Sequence, residues 1–366
     1  MTGEPEADAD RHDPERWGHS LANLGEVLTG CLDACGARSV AEVGAYAGDL
    51  TRLLLDWAAG SGARVVAIEP APHPALVELS ERHPELELVR DSSHDALARS
   101  PLPDAVIIDG DHNYFTVSGE LRIIGERARG GELPLLMLHD VGWPHGRRDA
   151  YWNPERVPEE HRQPLDRRPL LVPGNQGLAE EGLLLYASAK REGGARNGVL
   201  TALEDFMETR PDLRLATVPA FFGFAIVWSR DATWAEAVAE AVEPWDRDPV
   251  LERLEANRVH HLVSSHIRDA KLKRAGAELE DLRQRSATLE RALADREAEL
   301  ATLRARSRRQ ERVLAALLDS GGLRLADRFS ALRHPGRDWS WASRIQSALA
   351  GGVEVGGRRG EDGRGA

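Results

Sequence analysis

Five short, largely apolar runs restrict this chain to a narrow set of architectures: Val40–Val43, Arg64–Ile68, Leu86–Val89, Ala105–Ile108 and Leu135–Leu138. Each is about the length of one buried strand, and helical segments separate them (Leu50–Trp57, Pro74–Arg82, His94–Ser100, Thr116–Arg129). Strands alternating with helices predict an α/β chain with a doubly wound, mostly parallel sheet. In such sheets ligands bind just beyond the carboxyl ends of the strands. The fourth run ends in Asp109, Asp111, His112 and Asn113, and the fifth runs into His139 and Asp140. Two strand ends carrying paired hard ligands suggest a divalent cation bound by oxygen. The competing reading is that Asp109 and Asp140 only cap the next helix or turn.

The first run leads into Gly44-Ala45-Tyr46-Ala47-Gly48 and then a helix. Glycines let backbone amides approach a ligand closely, and a helix N-terminus adds partial positive charge. The spacing E-x-G-x-x-x-G is not the G-x-G-x-x-G of a dinucleotide site. The second run ends in Glu69, a position suited to accepting hydrogen bonds from ribose hydroxyls.

The order EVGAYAG, IEP, DSS, IIDGDHNY and LHD resembles the class I S-adenosylmethionine (SAM)-dependent methyltransferases. More narrowly it resembles the metal-dependent O-methyltransferases that include macrolide-sugar methyltransferases and cephalosporin-hydroxylase-like proteins. The specific part is D-G-D-H-x-Y followed by H-D, and the likeness covers residues 18–230. It implies a Rossmann-like sheet of seven strands, SAM as cofactor and Mg2+ or Mn2+ as metal. Glu42, Gly44 and Gly48 would line the methionine and sugar moieties, with Tyr46 of the same turn among the cofactor-binding residues. Glu69 would hold the ribose, and Asp91 and Ser92 would sit near the adenine. Asp109 and Asp140 would bind the metal, and His112 would take the acceptor hydroxyl's proton. The pattern departs at His139, which is either a weaker metal ligand or a group that orients the site.

That chemistry suits these residue types. Methyl transfer from a sulfonium is an in-line displacement that mostly needs alignment. A bound cation lowers the pKa of a hydroxyl acceptor, and an imidazole can receive its proton. The acceptor is expected to be a small molecule or glycan, most simply a sugar hydroxyl. Two rivals are a hydroxylase-like tailoring enzyme on the same fold and a scaffold of a glycan-assembly complex with a vestigial pocket.

Residues 141–194 fit no regular strand–helix unit and are rich in Pro, Arg, His and aromatics. An insertion here is expected to lie over the site and to bind the acceptor. Trp143, Tyr151 and Trp152 can stack on a ring, and His145, Arg147 and Arg148 can meet an anionic group. The bland alternative is a proline-pinned loop with solvated charges. A helix over Ala195–Thr209 and a strand pair, Leu213–Val218 and Phe222–Trp228, are expected to close the catalytic domain near Arg230. A further helix over Leu21–Ala34 precedes the sheet and carries Cys31, with Cys35 just beyond it, both read as reduced packing residues.

Residues 231–266 read as helical and charged. From Leu272 a heptad runs through Leu272, Leu279, Ser286, Leu293, Leu300, Ser307 and Leu314, with Ala275, Leu282, Leu289, Arg296, Leu303, Gln310 and Leu317 as its second core position. Ten of these fourteen are apolar, so residues 231–318 are expected to be a helical linker followed by a coiled coil, and the chain a homo-oligomer. Residues 319–350 form a basic amphipathic module suited to an anionic membrane surface or a partner. Residues 1–16 and 351–366 read as disordered. The formal net charge of −13 argues against nucleic acid as the main partner. The acidic start has no apolar core like that of a signal peptide, so the expected location is the cytoplasm.

Overall fold

The computed structural model describes residues 20–129, 131–333 and 340–351. The expectations for residues 1–16 and 352–366, and part of the basic module, lie outside them. The chain divides into two compact units, Met1–Leu272 and Lys273–Ala366.

In the first unit the elements alternate as expected. They are α1 (Gly25–Ala34), β1 (Ser39–Val43), α2 (Asp49–Ser61), β2 (Arg64–Ile68), α3 (Pro74–Arg82), β3 (Leu86–Val89), α4 (Ser93–Arg99), β4 (Ala105–Ile108), α5 (Tyr114–Arg127) and β5 (Leu135–His139). Small strands β6 (Leu165–Asp166), β7 (Leu170–Leu171), β8 (Leu183–Leu184) and β9 (Ser188–Ala189) come next, then α6 (Val199–Glu208), β10 (Leu213–Val218) and β11 (Phe224–Ser229). The main sheet has seven strands in the order β10-β11-β5-β4-β1-β2-β3. β1, β2, β3, β4 and β5 are mutually parallel, and β11 pairs antiparallel to both β5 and β10.

The strands are apolar throughout because both faces are covered. Side chains alternate across the sheet, so β4 sends Ala105 and Ile107 one way and Val106 and Ile108 the other. The first set packs with α1 and α2, through residues such as Leu28, Leu32 and Leu54. The second packs with α5 and α6, through Leu121, Ile124 and Leu203. The strand order reverses between β1 and β4, and the crevice beyond their carboxyl ends is where this architecture places ligands.

Three differences from the expected boundaries have local causes. The helix expected from Ala195 starts at Val199, because Arg196 and Gly198 take positive φ (56° and 94°). The strand expected from Phe222 starts at Phe224, because Phe221 and Phe222 adopt left-handed φ of 49° and 69°. The folded unit does not end near Arg230. Helix α7 (Ala235–Val242) buries Ala235, Val238 and Val242 in the main core. Helix α8 (Pro249–Leu318) buries Val259 and Val263 against Leu183 and Phe222.

In the second unit α8 continues to Leu318, succeeded by α9 (Gly321–Arg333) and α10 (Trp341–Gly351). Along α8 most heptad leucines are exposed, from 48% at Leu279 to 70% at Leu289. Among the described residues, no helix is long and apolar enough to cross a membrane.

Candidate active site

The β1–α2 turn needs its glycines. Gly44 has φ of 90°, and a Cβ there would lie 2.2 Å from the Asp109 carbonyl oxygen. The absence of a side chain lets the ends of β1 and β4 approach each other. Before it, Glu42 is buried and accepts a 2.6 Å hydrogen bond from the Thr51 hydroxyl. Burial pushes its pKa up to about 8. Glu69, beyond β2, accepts from the backbone N–H groups of Tyr46 (3.1 Å) and Ala71 (2.9 Å), tying the two loops together. Gly48 caps α2 in a left-handed conformation. Beyond β3, Ser92 caps α4, accepting from the Asp95 N–H, while Asp91 pairs with Arg99.

The polar residues at the ends of β4 and β5 converge. Nδ1 of His139 lies 3.0 Å from Oδ1 of Asp109 and 3.5 Å from Oδ2 of Asp140. Nε2 of His112 lies 3.2 Å from the same Oδ2 and 3.4 Å from the same Oδ1. The four atoms form a closed ring of alternating nitrogen and oxygen. Nε2 of His112 is shielded from solvent and meets no group in hydrogen-bonding geometry. Its other nitrogen, Nδ1, is 2.8 Å from the Tyr186 hydroxyl. Nε2 of His139 donates to the Phe221 carbonyl at 2.7 Å, which turns Nδ1 toward the carboxylates.

This donor set fits a metal ion. Donors about 2.1 Å from one ion stand about 3.0 Å apart in octahedral and about 3.4 Å apart in tetrahedral coordination. Two overlapping groups have ligand atoms within 4.8 Å of one another: Asp109, His139 and Asp140, and His112, Asp140 and His145. With protons in place of a cation, the same ring is held by imidazolium charge. Burial opposes that charge on His139, but Asp109 and Asp140 outweigh it and push the pKa up to about 10. Burial likewise opposes ionisation of Asp109, yet His139 and His112 hold it well below the usual carboxylate range. The His112 pKa is also raised, by Asp140 and Asp109 against burial.

A second layer fixes these ligands. The turn that supplies the Phe221 carbonyl is clamped by Glu255 of α8, which accepts from the N–H groups of Phe221 (3.1 Å) and Phe222 (2.8 Å). Arg258 grips the same carboxylate at 2.6 and 2.7 Å and lies over the Phe222 ring.

The insertion is not a loose loop. It folds as two antiparallel ribbons, β6–β9 and β7–β8. Arg148, expected to meet an anion, is fully buried and donates to the carbonyls of Ala189, Gln176 and Gly177. Arg147 is paired with Glu204 at 2.7 Å. Tyr151, expected to stack on a ring, is fully buried and donates to Asp149. Trp143 packs in the small cluster around Phe222 and Val259. Arg148 and Tyr151 therefore serve the insertion's own scaffold, Arg148 by satisfying backbone carbonyls that would otherwise be buried without a donor.

Trp152 remains exposed (68%), with its ring 5.9 Å from Tyr46 and 5.8 Å from Tyr186. Its backbone N–H donates to Asp111 at 2.8 Å, fastening the insertion to the β4 end. His145 is buried with its ring 5.0 Å from that of His112, inside the cluster rather than facing an acceptor. Nothing local in the sequence marks Tyr186 or Glu255. Tyr186 lies 74 residues from the histidine it touches, and no spacing rule links them.

No family model and no curated protein matches this sequence. Solved structures do resemble it. A methyltransferase of Podospora anserina with SAH bound is 15% identical, with a TM-score of 0.38, over 61% of this chain and 86% of that one. The O-methyltransferase of Streptomyces achromogenes involved in tomaymycin synthesis, in complex with SAM, is 14% identical with a TM-score of 0.37, over 63% of this chain and 91% of that one. A methyltransferase from Geobacter sulfurreducens is 13% identical with a TM-score of 0.35, over 63% and 91%. The fold rests on the strand order above rather than on these likenesses.

Proposed function

We propose that this chain is a SAM-dependent O-methyltransferase that uses a divalent cation and a histidine base to methylate a hydroxyl group. The observation that carries the reading is the ring of His112, Asp109, His139 and Asp140 beyond β4 and β5, beside a glycine turn at the point where the strand order reverses. Seven strands closed by an antiparallel pair is also the order expected of class I methyltransferases.

SAM, when bound, supplies the methyl group as an electrophilic sulfonium. Gly44 and Gly48 give its methionine and sugar moieties close access to backbone, Tyr46 lies in the same turn, and Glu69 receives the ribose hydroxyls. Glu42 contributes from beneath the turn. Asp91 and Ser92 stand nearer the adenine, with Ser92 also capping α4. Asp109, His139 and Asp140 would hold a divalent cation, which would acidify and orient the acceptor hydroxyl. Imidazole donors suit Mn2+ better than Mg2+, which prefers an all-oxygen shell. His112 takes the proton at Nε2. With Nδ1 donating to Tyr186, the lone pair of Nε2 points at the ring, and Asp140 and Asp109 stabilise the imidazolium formed. Trp152, at the exposed end of the aromatic run, offers a face for a sugar or other ring of a small-molecule or glycan acceptor.

Titration of the purified protein with SAM, with Mn2+ or Mg2+ and after EDTA, tests the reading. Micromolar SAM binding, with a metal requirement in turnover, supports it. No SAM binding under any condition refutes it.

A second reading has one observation behind it. His112, Asp140 and His145 form a group of two imidazoles and one carboxylate, the donor set that holds iron(II) in many oxygenases. A hydroxylase-like enzyme on the same fold would yield an oxidised product, whereas the first reading requires a product heavier by one methyl group. The exposed leucines of α8 favour self-association as a coiled coil. Exposed Leu325, Phe329 and Leu332 on the arginine-rich α9 suit an anionic membrane surface or protein partner. A cytoplasmic location remains part of the reading.

A further inference from the structure

The apolar stripe of α8 runs from Leu272 to Leu317, about 68 Å at helical rise. Most of its leucines are about half exposed or more, at 69% for Leu272, 54% for Leu282 and 61% for Leu293. A helix of this length with a two-in-seven apolar seam is covered in water by another helix. The identity and direction of that helix can be read from the charges beside the seam.

With Leu272 and Ala275 as the two core positions of the first heptad, the flanking positions are those immediately before the first and immediately after the second. In a parallel pair, each residue before a core position faces the residue five further along on the other helix. Glu278 then meets Arg283 of the second copy, and Arg285 meets Glu290. Two heptads on, Glu299 meets Arg304 and Arg306 meets Glu311. All four contacts are attractive, and two-fold symmetry doubles them. The next, Val313 with Leu318, is apolar. No like-charge contact arises between these flanking positions.

The polar core positions point the same way. Parallel and in register, Ser286, Ser307 and Gln310 each meet their own copy and can hydrogen-bond across the seam. Arg296 also meets its copy, but its guanidinium already lies 2.7 Å from Glu299 of the same helix, at the edge of the seam. Its long stem lets the charge reach water from a two-stranded core. In a fully overlapping antiparallel pair the same residues face leucines: Ser286 meets Leu303, Ser307 meets Leu282, Gln310 meets Leu279 and Arg296 meets Leu293. Each mismatch occurs twice and leaves a polar group without a partner.

We propose that residues 272–318 pair with the same residues of a second copy as a parallel, in-register, two-stranded coiled coil. This rests on the self-association reading above and adds its direction and register. Cross-linking of the full-length chain tests it. Leu282→Cys and Ser307→Cys are made singly; the positions are about 38 Å apart along the helix. Native Cys31 is buried and Cys35 half-buried, and the wild type serves as the oxidation control. The expected result is a native mass of twice 40.2 kDa and a self-disulfide in each variant. A doubled mass in which disulfides form only when the two variants are mixed, or do not form at all, overturns the parallel arrangement and leaves self-association standing. A mass of 40.2 kDa overturns both. As a second measure, Glu278→Arg with Glu299→Arg is expected to weaken dimerisation about tenfold at low salt, and adding Arg283→Glu with Arg304→Glu to restore it. No change on the first pair of substitutions overturns the register.

Discussion

Glu255→Gln should damage the site without touching it. The carboxylate accepts two N–H groups, from Phe221 and Phe222, and both residues sit at positive φ. Each left-handed non-glycine residue costs on the order of 1 kcal/mol and persists only where its surroundings enforce it. Glutamine keeps the shape but offers one acceptor oxygen, so one of the two N–H groups faces an amide NH2. It also loses the bidentate pair with Arg258. A hydrogen bond to a charged group contributes about 1.5–3 kcal/mol, and an unsatisfied buried donor costs about 1–3. The net loss is about 2–3 kcal/mol, or roughly 4–6 °C in melting temperature for a unit of this size. The strained turn also supplies the Phe221 carbonyl that orients His139. Loosening such a support lowers metal affinity by about 10–100-fold. Differential scanning calorimetry measures the first effect, and Mn2+ titration by calorimetry the second. A melting temperature within 1 °C of wild type refutes the clamp. A normal melting loss with unchanged Mn2+ affinity refutes the link from clamp to ligand.

Three other outcomes are expected from the geometry. His112→Ala is expected to lower methyl transfer about 10²–10⁴-fold while SAM affinity, measured by titration, stays within a factor of three; wild-type turnover in the variant removes His112 as the base. Glu42 and Glu120 both have pKa values raised by burial from 4.5 to about 8. The folded state therefore holds protons that the unfolded chain has released, and this stabilisation is lost as pH rises from about 4.5 through about 8. In thermal melts, Glu42→Gln should match wild type more closely at pH 5 than at pH 9, where it should be the more stable; the opposite order sinks the assignment. Arg148→Met leaves the Ala189, Gln176 and Gly177 carbonyls without their donor. Limited proteolysis should then cut within residues 164–190 at least tenfold faster, and an unchanged cleavage rate means that Arg148 does not hold the insertion.

Legibility in the sequence divides along one physical line. An apolar run of four residues such as Ala105–Ile108 is a strand in almost any context that covers both its faces, and the residues just past its carboxyl end stand in the crevice by geometry alone. For that reason Asp109, His112, His139 and Asp140 were legible as a group. Arg148 and Tyr151 were not, because an arginine in a proline-rich stretch has the same local signature whether it faces a ligand or its own backbone. Only the carbonyls of Ala189, Gln176 and Gly177, brought back from distant sequence, decide it. Glu255 is illegible for the same reason, since its partners precede it by 33 and 34 residues. Helix α8 makes the point within one element. Val259 and Val263 are buried against Leu183 and Phe222, while Leu279 and Leu289, on the same helix, are exposed. Periodicity reports which face of a helix is apolar, and it is silent on what covers that face. The charges that flank the seam carry the missing information only where the cover is a second helix, so direction and register become readable there and nowhere else along α8.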